Sequence, residues 1–84
     1  MTKREKLLGR LLSRPTDFTW AELSRALKEF GYEQDNAGKT SGSRARFISS
    51  EYPPISLHRP HPKPILKRYQ LDEVISLLRR EKLI

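Results

Sequence analysis

The chain has 84 residues, of which 36% are hydrophobic and 32% charged, and 17 Lys and Arg against 10 Asp and Glu give a net charge of +7. This length is enough for one small hydrophobic core, so we expect a single domain. The absence of cysteine excludes a disulfide framework, a cysteine zinc site and a thiol nucleophile. No apolar run approaches the ~20 residues of a membrane-spanning helix and no signal-peptide pattern follows the N-terminus, so we expect a cytoplasmic protein without a membrane partner.

Two helices are predicted in the first third of the chain. Thr2 and Glu5 form a capping box, and Pro15 ends the apolar stripe that follows, which comprises Leu7, Leu8, Leu11 and Leu12. Thr19 and Glu22 form a second capping box. The stripe of the second helix comprises Trp20, Leu23, Leu27 and Phe30, with Phe18 and Leu23 at the positions of a hydrophobic staple. Gly31 then suits the C-terminal stop.

Beyond Gly31 the pattern changes to the period of β-strands. Ser43–Ile48 and Ile55–His58 alternate apolar and polar residues, and Tyr32–Asn36 is a candidate for a third strand. The polar faces of these strands carry Arg44, Arg46 and His58. Three prolines hold residues 60–64 extended.

A third helix is predicted to begin near Tyr69. Its apolar stripe comprises Leu71, Val74, Ile75 and Leu78. Asp72 and Glu73 suit its N-terminal dipole. The resulting fold class is α+β: a two-layer, three-stranded antiparallel sheet with helices on one face, leaving the other face for solvent or a ligand.

Basic charge is concentrated in the middle of the chain. Residues 38–68 hold seven basic side chains and one acid, Glu51, whereas the two flanks are nearly neutral. The basic residues are Lys39, Arg44, Arg46, Arg59, Lys63, Lys67 and Arg68. A segregated block of one sign is typical of a nucleic-acid site, because it neutralises phosphates. The block lacks a helical pattern, which argues against a membrane-surface segment.

Candidate chemistry in this block depends on two histidines, His58 and His61. A metal site would need further ligands beside them, and no catalytic-triad or phosphate-loop pattern frames the serines or Gly38-Lys39-Thr40. No metal or cofactor is therefore expected. RNA supplies its own nucleophile, the 2′-hydroxyl, so a histidine that moves protons and arginines that stabilise phosphate charge could cleave it.

The order of these motifs resembles the HicA family of small toxins. The similarity comprises a helix, the Gly31-Tyr32 strand, Gly42-Ser43 before a basic residue, a strand containing Phe47, the Pro60-His61 segment and a closing helix. It covers residues 19–84 and leaves residues 1–18 as a helical extension. The resemblance implies a fold like double-stranded-RNA-binding domains, endoribonuclease activity on messenger RNA (an mRNA interferase) and a HicB-like protein antitoxin.

One position departs from the family pattern. The Gly-Ser pair of typical members is followed by a histidine regarded as catalytic, and here Arg44 follows Gly42-Ser43. A guanidinium stays protonated and cannot act as a general base. Three readings follow: His58 or His61 takes over proton transfer, arginines act mainly by electrostatic stabilisation, or the chain binds RNA or its antitoxin without cutting.

The candidate site follows from these observations. The catalytic candidates are His58, His61 and Arg44, and the RNA-binding candidates are Lys39, Ser43, Arg44, Arg46, Arg59, Lys63, Lys67 and Arg68. Alternatives to a ribonuclease toxin are a non-catalytic RNA-binding domain, a winged-helix DNA-binding protein, which would need a recognition helix after Gly31, and a plain protein-interaction domain. Tyr52 and Tyr69 are candidates for stacking on a base.

Overall fold

The computed structural model describes residues 3–35, 44–60 and 62–84. Its elements are α1 (Lys3–Leu12), α2 (Trp20–Lys28), β1 (Glu33–Gln34), β2 (Arg44–Ile48), β3 (Ile55–His58) and α3 (Arg68–Arg80). The strands form one antiparallel sheet in the order β1-β2-β3. The predicted α+β fold is confirmed. Thr2 lies outside the described residues, so its capping box stays a prediction. No helix in the described part of the chain is long and apolar enough to cross a bilayer.

The capping box of α2 forms as predicted. The Glu22 backbone N–H donates to the Thr19 hydroxyl at 3.1 Å, and the Glu22 carboxylate accepts from the Thr19 N–H at 3.0 Å. Phe18 and Leu23, the two staple residues, are both fully buried. Reciprocal capping satisfies two backbone donors that the first helical turn leaves unpaired, and a cap of this kind stabilises a helix by about 1 kcal/mol.

Gly31 turns the chain from α2 into the sheet. Its φ of +86° is readily available only to glycine, and it lets the Tyr32 N–H donate back to the Leu27 carbonyl at 3.0 Å. The side chain of Tyr32 is thereby buried in the core, where its hydroxyl donates to the Pro53 carbonyl at 2.8 Å. Burial raises the pKa of this phenol. The turn thus fixes both the end of α2 and the connection between β2 and β3.

The sheet has one buried and one exposed face. Ala45, Phe47, Ile55 and Leu57 point inward, and Phe47, Ile55 and Leu57 join apolar side chains of all three helices in one cluster. β1 contains only two residues of the predicted Tyr32–Asn36 segment. One further backbone bond, from the Asp35 N–H to the Arg46 carbonyl at 2.7 Å, continues the pairing. The helices therefore cover one face of the sheet, and the other face is open.

The helix α3 begins one residue earlier than expected. Its first turn contains no acidic residue, so the prediction that Asp72 and Glu73 lie at its N-terminal dipole is wrong. Asp72 instead accepts a hydrogen bond from Arg14, just beyond α1, which ties the first helix to the third. The predicted apolar stripe is confirmed, because Leu71, Val74, Ile75 and Leu78 are all buried.

The proline-rich segment before α3 pairs with the start of α2. The Trp20 N–H donates to the Pro64 carbonyl at 2.9 Å, and the Leu66 N–H donates to the Phe18 carbonyl at 2.8 Å. Both bonds flank an isolated antiparallel bridge between Thr19 and Ile65. These bonds hold residues 64–66 against the capping region of α2. Within the segment predicted to be extended, residues 60–64, Pro62 and Lys63 form a bend, and residue 61 lies outside the described residues.

Candidate nucleic-acid interface

The open face of the sheet brings the strand residues of the candidate site together. In the register of β2 and β3, Arg44 lies directly opposite His58, and Arg46 lies opposite Ser56. All four side chains are exposed. Directly opposed residues of antiparallel strands have Cβ atoms about 4.5–5.5 Å apart, and diagonal ones remain within reach of long side chains. A single phosphate can therefore contact a guanidinium and an imidazole here.

The end of β3 is held in place by Gln70 of α3. Its side-chain nitrogen donates to the His58 carbonyl at 2.9 Å, and its side-chain oxygen accepts from the Lys67 N–H at 3.0 Å. Gln70 is 3% exposed. Gln70 is not among the residues predicted from the sequence, although one signal was present: it precedes Val74 by four positions and so lies in phase with the apolar stripe of α3.

An aromatic pair lies between α2 and the inward face of β2. The Trp20 ring contacts the buried Phe47 ring at a centroid distance of 5.3 Å, and the Arg59 guanidinium lies 5.8 Å from the Trp20 ring centroid. Trp20 is half-buried, so its predicted core position is only partly right. This cation–π contact places Arg59 with the helical layer, on the side of the sheet opposite to Arg44, Arg46 and His58. The prediction that Arg59 joins the strand residues of the site is therefore not supported by its position.

The remaining predicted residues fall into three groups. Lys63, Lys67 and Arg68 are exposed along the segment that leads into α3. Tyr69 is exposed, whereas Tyr52 stacks on Tyr32 at 6.4 Å and packs against the core, which does not suit a base-stacking role. Lys39, Ser43 and His61 lie outside the described residues, and their roles stay predictions.

The chemical character of the open face is cationic. Arg44, Arg46 and His58 lie on it, whereas Arg59 contacts Trp20 on the helical side of the sheet. Within residues 3–35, 44–60 and 62–84, no three His, Cys, Asp or Glu side chains converge in a geometry that could hold a metal ion. The arrangement can neutralise phosphate through its guanidinium groups and can exchange protons through its imidazole.

A comparison with protein families agrees with the resemblance seen in the sequence. The family model described as the HicA toxin of bacterial toxin-antitoxin systems matches residues 20–80, from the first residue of α2 to the last residue of α3. No curated protein and no solved structure gives a significant match. The match spans well over half of the chain and implies an antitoxin as partner. The chain therefore belongs to the HicA family of toxins of bacterial toxin-antitoxin systems.

Proposed function

We propose that this toxin is an endoribonuclease that cleaves messenger RNA in the cytoplasm, blocks translation without a metal ion or other cofactor, and is neutralised by a HicB-like antitoxin. The observation that carries the proposal is the register that sets Arg44 directly opposite His58 on an exposed face. Because the position of the family's usual histidine is occupied by Arg44, the nearest imidazole across the strand pair becomes the candidate for proton transfer.

The proposed reaction uses the 2′-hydroxyl of the RNA as the nucleophile. His58 accepts the proton of that hydroxyl, the 2′-oxygen bonds to the adjacent phosphorus, and the bond from phosphorus to the 5′-oxygen breaks. Arg44 stabilises the charge that builds on the non-bridging oxygens. A protonated imidazole, for which His61 is the sequence candidate, gives its proton to the departing 5′-oxygen. The products are a 2′,3′-cyclic phosphate and a 5′-hydroxyl.

Binding of the RNA around the cleaved bond is assigned to the other basic residues. Arg46 shares the open face with Arg44. Arg59 lies over the Trp20 ring on the helical side, so we assign it to RNA that extends past the end of β3. Lys63, Lys67 and Arg68 extend the basic surface toward α3, and Lys39 and Ser43 are predicted to join it. These residues position the phosphate backbone and carry no proton in the reaction.

The test is cleavage of a labelled messenger RNA by purified protein in excess chelator. We expect His58→Ala to abolish cleavage and Arg44→Ala to reduce it strongly, with unchanged thermal unfolding. Ser56→Ala is the matched control, because Ser56 lies on the same face opposite Arg46 and has no role in the reaction. Arg44→His, which restores the family's usual residue, is expected to keep or raise the rate.

A non-catalytic RNA-binding domain is the second candidate, and Arg44 itself favours it, since a guanidinium cannot act as a base at neutral pH. Intact RNA with wild-type protein, combined with binding that Arg44→Ala weakens, would establish this candidate and overturn the nuclease. Cleavage that survives in His58→Ala and disappears in a His61→Ala variant would move the proton transfer to His61. Cleavage that requires added metal would contradict the proposed mechanism.

A further inference from the structure

A second cationic surface lies in the helical layer, away from the open face of the sheet. An open groove of about 440 Å³ runs between α1 and α2. Its basic lining residues are Lys3, Arg4, Lys6, Arg10, Arg25 and Lys28. Lys3, Lys6 and Arg10 fall on one face of α1 by their helical spacing, and Arg25 and Lys28 fall on one face of α2. The two helices therefore present their basic stripes to the same groove.

Two carboxylates line this groove, and one of them is neutralised by an arginine of the same lining. Glu22 and Glu29 are the carboxylates among its described lining residues. Glu22 is held by Arg10 at 2.7 Å, so the two neutralise each other. Among the described lining residues, Glu29 is then the one carboxylate left to balance the other five basic side chains. A groove with this surplus of positive charge attracts anions, because several cations surround one small volume and their electric fields add.

The composition of the lining favours a polyanion over a protein partner. Among its described lining residues Leu7 alone has an apolar side chain, and the rest of the apolar surface, which exceeds the polar surface, comes from the side-chain stems of the charged residues. The large hydrophobic residues exposed in the described part of the chain are Ile48, Tyr69 and Ile84, none of which lines the groove. Protein interfaces concentrate aromatic and apolar anchors and are depleted in lysine, whereas phosphate-backbone sites are rich in Lys and Arg.

One side of the groove is made by a helix that the family match does not include. The match begins at residue 20, whereas α1 comprises Lys3–Leu12. α1 is nevertheless fixed on the fold, by Leu11 in the core and by the bonds from Arg10 to Glu22 and from Arg14 to Asp72. The helix therefore adds a rigid charged surface to the region that the family shares.

We propose that the groove between α1 and α2 is a second binding site for the phosphate backbone of RNA, which holds the strand outside the reacting face. The inference rests on the proposed function only in taking RNA as the ligand. The groove would increase the affinity for RNA and the length of RNA that is bound. It would take no part in the reaction, because no group in the groove touches the reacting phosphate.

The test measures binding of a labelled 2′-O-methyl RNA, which keeps the phosphates but lacks the nucleophile, over a series of salt concentrations. The variant is Lys6→Gln with Lys28→Gln, one from each side of the groove. We expect the slope of log affinity against log salt to fall by about two, close to one for each phosphate contact removed. The matched control is Arg79→Gln with Lys82→Gln, which removes the same charge from exposed positions outside the groove and should keep the wild-type slope.

Each outcome decides the proposal. A wild-type slope in the groove variant overturns it, as does an equal fall in the control variant, which would show only a net-charge effect. An unchanged RNA slope together with weaker binding of the purified antitoxin would assign the groove to a protein partner instead. Because the probe RNA cannot be cleaved by its 2′-oxygen, the slope is measured whether or not the protein is a nuclease. Failure of the nuclease proposal therefore leaves this test intact.

Discussion

Arg10 on α1 and Arg46 on β2 carry the same guanidinium group in different surroundings. Arg10 donates to the Glu22 carboxylate at 2.7 Å and to the Asp17 carboxylate at 2.9 Å, and its guanidinium lies 5.7 Å from the Phe18 ring centroid. Arg46 is exposed on the open face, opposite Ser56. The comparison indicates that the Arg10 guanidinium is used within the fold, whereas the Arg46 guanidinium is exposed on the face that we propose binds RNA.

Burial separates the two carboxylates that hold Arg10. The Glu22 side chain is 17% exposed and the Asp17 side chain 69%. The hydrogen bond from Arg10, together with those from Thr19, lowers the pKa of Glu22 to about 2. The carboxylates of Glu22 and Asp17 in turn raise the pKa of Arg10. Exposed ion pairs contribute only about 0–1 kcal/mol, because water screens them and the side chains lose freedom. Glu22 is therefore the partner that stabilises the junction.

The largest expected effect on stability follows from removing that partner. Glu22→Ala deletes the carboxylate that binds Arg10 and caps α2, and we expect the free energy of unfolding to fall by about 2–3 kcal/mol. Asp17→Ala is the matched control, because it removes the exposed partner of the same arginine, and its expected loss is below about 1 kcal/mol. Urea denaturation at pH 7 measures both. Equal losses would contradict the assignment of the junction to Glu22.

The same contact predicts a dependence of stability on pH. The pKa of Glu22 is lowered in the folded state from its ordinary value of 4.5 to about 2, so the stabilisation is fully present above pH 4.5 and is lost as the pH falls toward 2. Glu22→Gln keeps an acceptor for the Thr19 N–H but has no charge to titrate. The stability of wild type and Glu22→Gln should therefore converge in acid, and curves that stay parallel would refute the role of the charge.

Substitution of Gln70 is expected to have the next largest effect on stability. This side chain connects the interior to the strand that carries His58 on the open face. Gln70→Ala leaves the His58 carbonyl and the Lys67 N–H without their partner, which should cost about 1–2 kcal/mol. Because Gln70 positions the strand end that carries His58, the Gln70→Ala variant should have a lower kcat for RNA cleavage. Its binding of 2′-O-methyl RNA should stay unchanged. Gln34→Ala, on the half-buried β1 strand, is the control. Loss of stability without loss of kcat would restrict Gln70 to a structural role.

Features decided by neighbouring residues could be predicted from the sequence. The Thr19 and Glu22 capping box, the Gly31 turn and the alternation of β2 depend on residues at most a few positions apart, and all three are present. The open face followed from that alternation, because the apolar residues of each strand must point toward the core. The placement of Arg44, Arg46 and His58 on one face therefore needed no knowledge of the tertiary fold.

Features decided by contacts between distant segments could not be predicted in this way. The bond between Arg10 and Glu22 joins two helices, and Gln70 reaches a strand end twelve residues away. The register that sets Arg44 against His58 depends on how the strands pair. The net charge of the chain gave no sign of the groove, since the flank before residue 38 is nearly neutral in total. Only the packing of α1 on α2 brings the cations of this flank together on one surface.

The smallest expected change in stability is at Arg46, and it is the sharpest test of the comparison with Arg10. Arg46→Gln removes an exposed charge, so the free energy of unfolding should change by no more than about 0.5 kcal/mol. The salt slope of binding to 2′-O-methyl RNA should fall by about one, because a phosphate contact is lost. Both quantities can be measured on one protein preparation, the free energy of unfolding by urea denaturation and the salt slope by titration with RNA. A stability loss as large as that of Glu22→Ala, with an unchanged slope, would make the guanidinium on the sheet a structural group like that of Arg10.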